Sequence, residues 1–250
     1  MNEWLDDLRT AVAFLTRLPM PHPQGAVPAN LIRAQWLFPL VGAGIGGAVG
    51  LVYLGMRATG VPDLAAAALV LGASALLTGA LHEDGLADVG DGFGGGRDRE
   101  SKLEIMRDSR LGTYGALILM VSFVAKLSAL AALSNGVVAQ SLIAAHALAR
   151  GVLPAMSMRL PYARKDGRAA TAGRPDSATA ATAAALALLI ALLSLPWVEA
   201  LVAALVAVAI AIGMGWLAQR QIGGQTGDVL GGAEQVGETA ILVLLAARLA

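Results

Sequence analysis

Long apolar runs separated by short polar connections dominate the chain. Six of them, Trp36–Met56, Pro62–Leu81, Leu111–Leu133, Val137–Met158, Ala178–Leu195 and Val198–Leu217, reach or approach the length of a spanning helix, which needs about 20 mostly apolar residues. A seventh, Val236–Ala250, is shorter and holds Glu238 near its start. It reads as a tilted span, a half-helix or an interfacial piece. The pattern predicts an all-α, polytopic transmembrane helical bundle of about seven spans, with six as the fallback.

Ahead of the first run, Asn2–Leu18 alternates differently. Trp4, Leu5, Leu8, Val12 and Leu15 recur at helical spacing, so residues 1–20 predict an interfacial amphipathic helix or a helix packed on the bundle. Pro19, Pro21 and Pro23 end it. Glu3, Asp6 and Asp7 interrupt any apolar core there, and no cleavable signal peptide is expected.

The connections orient the chain. Arg9, Arg17, Arg33, Arg97, Arg99, Lys102, Arg107, Arg110, Arg159, Arg164, Lys165, Arg168, Arg174 and Arg220 all fall on one side if the spans alternate. The other connections hold a single Arg, Arg57. Basic residues favour the cytoplasmic side, so the N-terminus is expected in the cytoplasm.

Composition agrees. Only 14% of the 250 residues are charged, against about 25% in soluble domains, and mean hydropathy is +0.66. Net charge is zero, which gives no general pull toward nucleic acid. There is no cysteine, which excludes disulfides, zinc–thiolate sites and iron–sulfur clusters. Gly42, Gly46 and Gly50 line one face of the first run. Such a face accepts a neighbouring helix or a partner subunit, which makes a homo-oligomer plausible.

The chemistry concentrates after the second run. Eight of the 18 acidic residues lie between Glu83 and Asp108. If the helix continues past Leu81, Asp84, Asp88 and Asp91 stand at i, i+4 and i+7 on one face. Stacked like charges repel, and a divalent cation reverses that sign. Mg2+ takes hard oxygen ligands, few of them from protein, and the rest from water and phosphate. The segment 82–110 is therefore expected as an acidic cytoplasmic active-site loop. The bland alternative is a solvated surface. Glu100 and Glu104 alternate with Arg97, Arg99, Lys102 and Arg107 and read equally well as exposed helix pairs. Asp108 either caps the third span or meets a ligand.

From His82 to Gly115 the chain resembles the signature region of the adenosylcobinamide-GDP ribazoletransferase, or cobalamin synthase, family. The residues that carry this are His82, Glu83, Asp84, Gly85, Leu86, Ala87 and Asp88, then Asp91–Gly92, then Glu104 through Gly115. His146–Arg150, Pro161–Arg164 and Gly223–Gly232 resemble two further family segments, with Gly232 where alanine is expected. The resemblance runs from Leu15–Pro19 to Glu238 and treats 1–250 as one integral-membrane catalytic domain.

That resemblance implies an activity. The family joins adenosylcobinamide-GDP to α-ribazole or its 5′-phosphate, releases GMP and uses Mg2+. It makes Glu83, Asp84, Asp88 and Asp91 the expected metal shell, with Asp84 and Asp88 central to catalysis. His82 is a candidate general base or an orienting group. Arg107, Asp108, Arg110, His146, Arg150, Arg164, Thr226 and Asp228 are candidates for substrate contact. Arg150 alternatively snorkels to the interface, as Lys126 is expected to do, and Asp228 is alternatively a turn residue. A CDP-alcohol phosphotransferase and a secondary transporter are the rival readings. The first lacks its own aspartate run here, and the second needs a midplane site.

Overall fold

A computed structural model of the chain describes residues 3–21, 28–164 and 173–250. Pro23, Lys165 and Arg168 lie outside them. The helices run α1 (Glu3–Leu15), α2 (Pro28–Ala34), α3 (Phe38–Ala58), α4 (Asp63–Thr78), α5 (Leu81–Gly95), α6 (Arg99–Ile105), α7 (Thr113–Ala132), α8 (Asn135–Gly151), α9 (Leu153–Arg159), α10 (Ser177–Ser194), α11 (Trp197–Ile222) and α12 (Gly227–Leu249). Among the described residues there is no strand, only one isolated bridge between Tyr162 and Gln225. The chain is a polytopic helical bundle.

Six helical stretches are long and apolar enough to cross a membrane: Asn30–Ala58, Thr113–Ala132, Asn135–Arg159, Ser177–Ser194, Trp197–Ile222 and Gly227–Leu249. Two sequence expectations change. The weak seventh run is the later part of a full 23-residue helix, whose polar residues Glu234, Gln235 and Glu238 are buried inside the bundle. The second run is cut short, because α4 ends at Thr78 and α5 leaves at 93° to it. Counting that bent pair as one span gives seven.

Helix ends sort into two sets. At one face Arg57 pairs with Asp63 at 2.5 Å and reaches Asn135, Tyr53 bonds Asp63, and Arg248 meets Glu199. At the other, Arg99 donates to the carbonyls of Ile222 and Ala163 at 2.8 and 2.7 Å, Lys102 bonds Gln221, and Arg164 donates to the Leu103 carbonyl. This sorting is what alternate crossing requires when α4 counts as a crossing.

Packing is close where side chains are small. A Cβ on Gly42, Gly46 or Gly50 would fall on the backbone of His146, Leu142 or Ala139, so α3 lies directly on α8. The glycine face expected to receive a neighbour is filled by α8 of the same chain and is not left for a partner subunit. The first helix is fastened rather than free. Buried Asp7 accepts from Arg33 at 2.8 Å and from Trp36 at 3.1 Å, and Phe14 stacks on Phe38. Its inward face is Asp7, Ala11 and Leu15, while Trp4 points outward at 55% exposure. Outward leucines and valines such as Val121, Leu193 and Leu205 cover α7, α10 and α11, the surface a bilayer would wet.

Candidate active site

The site begins at the break. Gly79 and Ala80 both adopt left-handed backbone, at φ +68° and +54°. Gly79 ends α4 as such residues commonly do. A Cβ there would meet the Arg17 side chain, whose own backbone N–H bonds the Leu77 carbonyl at 2.7 Å. Ala80 is the one non-glycine with positive φ among the described residues. Two successive left-handed residues reset the chain direction, and α5 restarts with Asp84 N–H on the Ala80 carbonyl.

The segment 82–110, expected as a loop, is thus mostly helix. The carboxylates keep their helical spacing, but α5 is wedged among three neighbours, which divides them. Gly85 rests on the backbone of Asp228 and Gly231 of α12, Gly90 against Ile118 and Gly115 of α7, and Gly92 against Met106 beside α6. Asp91 points at α7. Its two oxygens accept the backbone N–H groups of Gly112 and Gly115 at 2.7 and 2.8 Å, satisfying donors a helix start leaves free. Glu83 lines a cavity of about 260 Å3 together with Lys126, Gln235 and Ser122.

The expected shell of Glu83, Asp84, Asp88 and Asp91 therefore does not converge on one point. Asp84 is exposed and Asp88 half-buried. Both lie within electrostatic reach of Asp228, and the three mark a groove where α5 rests on α12. Burial, with Asp228, Asp84 and Asp91 nearby, pushes the Asp88 carboxyl up to about 7. Asp228 sits in the first turn of α12, not in a free turn. Thr226 caps that helix through the Val229 N–H and bonds Asp228 at 3.1 Å. Arg164 stands 3.9 Å from Asp228. The loop behind them is set by Gly223 and Gly224 at positive φ and by buried Gln225, which bonds the Ser157 and Leu160 carbonyls.

Asp108 does not cap α7, because Asp91 already does. It pairs with Arg110 at 2.5 Å on the surface. Arg107, Glu100 and Glu104 are exposed beside it.

Three sequence candidates lie elsewhere. His82, His146 and Arg150 are 4, 1 and 1% exposed, and they join a buried network with Glu234, Glu238 and Lys126. Arg150 pairs with Glu234 at 2.5 Å and lies 3.6 Å from Glu238. His146 Nδ1 lies 2.9 Å from Glu238, and His82 Nδ1 lies 3.3 Å from Glu234. Lys126 does not snorkel. It is buried on Gln235 at 2.6 Å and Glu238 at 3.2 Å. Arg150 does not reach the groove either, since its charge is spent on the two glutamates. Sequence reasoning passed over Glu234. Its signal was Glu234 and Glu238 one turn apart in a helix long enough to span, a placement that usually faces inward partners.

His146, Glu234 and Glu238 are also the one set of three ligand-type groups converging within 4.8 Å among the described residues. A guanidinium already stands among them. Arg150 Nη1 is 2.8 Å from His146 Nδ1 and 2.5 Å from Glu234. Two cations face two carboxylates, so the cluster balances without a metal.

The family model for cobalamin-5-phosphate synthase matches residues 7–246. The chain belongs to the cobalamin-5-phosphate synthase family. Relatives named adenosylcobinamide-GDP ribazoletransferase share this length. The protein of Bradyrhizobium diazoefficiens is 48% identical over 96% of this chain and 93% of its own. That of Sinorhizobium medicae is 44% identical over 98% of both. That of Azorhizobium caulinodans is 43% identical over 98% of this chain and 97% of its own. No solved structure matches the chain. The synthase match takes in the acidic helix α5, the Asp228 turn and the buried network alike.

Proposed function

We propose that this chain is an adenosylcobinamide-GDP ribazoletransferase. It joins adenosylcobinamide-GDP to α-ribazole or its 5′-phosphate and releases GMP, a late step in assembling the cobalamin nucleotide loop. One observation carries the reading beyond the relatives' names. Asp84 and Asp88 face Asp228, brought from a distant helix, with Arg164 beside them. Like-charged carboxylates gathered around one guanidinium suit binding of a pyrophosphate with its cation.

Mg2+ is the proposed cofactor, and the donor set fits it. The carboxylates are hard oxygen ligands, and burial together with their repulsion raises Asp88. Asp84, Asp88 and Asp228 would hold the ion. When bound it supplies charge neutralisation on the pyrophosphate oxygens. The chain's own part is alignment, which dominates phosphoryl transfer. Arg164 faces the substrate phosphates from the Asp228 side. A ribazole hydroxyl attacks the phosphorus on the corrinoid side, the P–O bond to GMP breaks, GMP leaves with that oxygen, and the hydroxyl proton passes to the leaving phosphate or to solvent. Asp91 keeps α5 against the start of α7, and His82 lies too deep to take the proton. The basic connections support a groove that opens to the cytoplasm at the inner membrane.

Purified protein in detergent, given both substrates and Mg2+, is expected to release GMP with matching formation of the cobalamin product. Absence of GMP under all Mg2+ concentrations would overturn the assignment.

A further inference from the structure

We propose that Glu234 and Arg150 are positioning residues for this reaction, acting through His82 to fix the open face of α5. The proposal rests on the ribazoletransferase reading for its activity tests. It begins with how weakly α5 is held by its own sequence. Five of its 15 residues are glycine, which costs a helix stability and side-chain contacts. Two left-handed residues separate it from α4, so α4 does not set its direction rigidly. Its orientation depends on attachments made from neighbouring helices.

Besides its glycine contacts, two polar attachments hold it among the described residues. In the later half of α5, Asp91 takes the N–H groups of Gly112 and Gly115. In the first turn, His82 is wedged between α8 and α12. Its Nδ1 lies 3.3 Å from Glu234 Oε2 and 3.4 Å from Arg150 Nη2. Glu234 Oε1 forms an ion pair with Arg150 Nη1 at 2.5 Å, and Gln235 donates to Glu234 Oε2 at 3.0 Å. Asp84 and Asp88 lie between the two attachments. Glu234 is fully buried, so one carboxylate fixes α5, α8 and α12 relative to each other. Buried ion pairs add little net stability compared with apolar packing. A role in setting geometry accounts for this one.

The same geometry removes His82 from proton transfer. A general base must come within about 2.6–3.2 Å of the hydroxyl it serves. His82 is 4% exposed, and its Nδ1 faces groups that never leave the bundle.

The test uses the full chain in detergent, with wild type, Glu234→Gln and His82→Gln. Two readouts are taken: the rise in Tm on adding Mg2+ alone, and GMP release against Mg2+, α-ribazole and pH. Glu234→Gln is expected to raise half-saturating Mg2+ and lower kcat, each by about tenfold, with KM for α-ribazole within about twofold. Its Mg2+-induced Tm rise shrinks in parallel. His82→Gln keeps a hydrogen-bonding tether and is expected to retain at least about a tenth of kcat, with a pH profile of unchanged shape. Loss of about 100-fold or more in His82→Gln, with one limb of the pH profile gone, identifies a base and overturns the proposal. Unchanged Mg2+ dependence in Glu234→Gln overturns it as well. If Glu234→Gln does not fold, Glu234→Gln/Arg150→Gln removes both buried charges and takes its place under the same criteria. Wild type that melts higher with Mg2+ yet releases no GMP sinks the transferase reading, and the Tm readout still decides the positioning role of Glu234.

Discussion

Asp91 Oδ1 accepts the backbone N–H of Gly115 at 2.8 Å while its other oxygen takes the N–H of Gly112. A Cβ on either glycine would strike that carboxylate. The aspartate and the two glycines therefore form one joint between α5 and α7. Asp91→Asn offers an amide where an N–H donor needs an acceptor. Leaving a buried donor unmatched costs about 1–3 kcal/mol. The expected result is a lower Tm with Mg2+ half-saturation within about twofold of wild type. An unchanged Tm with a large shift in Mg2+ dependence would return Asp91 to the metal shell.

Asp84→Asn and Asp88→Asn should behave oppositely. Each removes a ligand charge from the groove and breaks no side-chain hydrogen bond among the described residues. Turnover is expected to fall by about 100-fold or more, with the protein still inserted and monodisperse. GMP release at the wild-type rate from either variant would remove that residue from the reaction.

The raised Asp88 carboxyl gives a pH signature. Mg2+ competes with its proton, so half-saturating Mg2+ should rise below pH 7, by about tenfold per unit, and the slope should flatten in Asp88→Asn. Stability has its own sign. The folded state holds a proton that the unfolded chain releases near pH 4, so Asp88 favours folding at low pH and loses that contribution as pH rises toward about 7. Mg2+ should therefore raise Tm more at pH 8 than at pH 6. A Tm rise equal at both would count against the site.

Lys126→Met tests the buried network from α7. It leaves Glu238 short of a counter-charge inside the bundle, which costs about 3–5 kcal/mol. Poor expression or early aggregation in size-exclusion chromatography is expected. A snorkelling lysine would tolerate the change with no loss of monodispersity.

The α3–α8 contact predicts a graded series. Gly46→Leu places a side chain on the Leu142 backbone and should cost about 1–3 kcal/mol. Gly44→Ala and Gly55→Ala meet open space and should leave Tm unchanged or raise it. Equal losses in all three would contradict the close α3–α8 approach.

The spans were legible because an apolar run of twenty residues has few alternatives. The acidic pair Asp84 and Asp88 was legible because its i,i+4 spacing survives any change in helix direction. The change itself was hidden. Gly79 marked a possible helix end, but alanine almost never announces left-handed backbone, and Ala80 supplies half of the break. Asp91 misled for a related reason. Its spacing matched the acidic face, and only the packing of Gly112 and Gly115 shows which neighbour claims it. His146 and Arg150 looked like groups for substrate and Lys126 like a surface-seeking charge because their partners, Glu234 and Glu238, lie far off in the sequence.

The Gly79–Ala80 break also bears on how the protein is made. Sixteen residues of α4 extend about 24 Å, short of a hydrocarbon layer of about 30 Å, and the four acidic residues that follow in α5 oppose partition into lipid. Such a helix is a poor passenger for the insertion machinery when it arrives alone. Its predecessor α3 is long and apolar, the connection between them is four residues, and Arg57 at its end already pairs with Asp63 at the start of α4. The two helices are built to enter the bilayer together as a hairpin, with the stronger carrying the weaker.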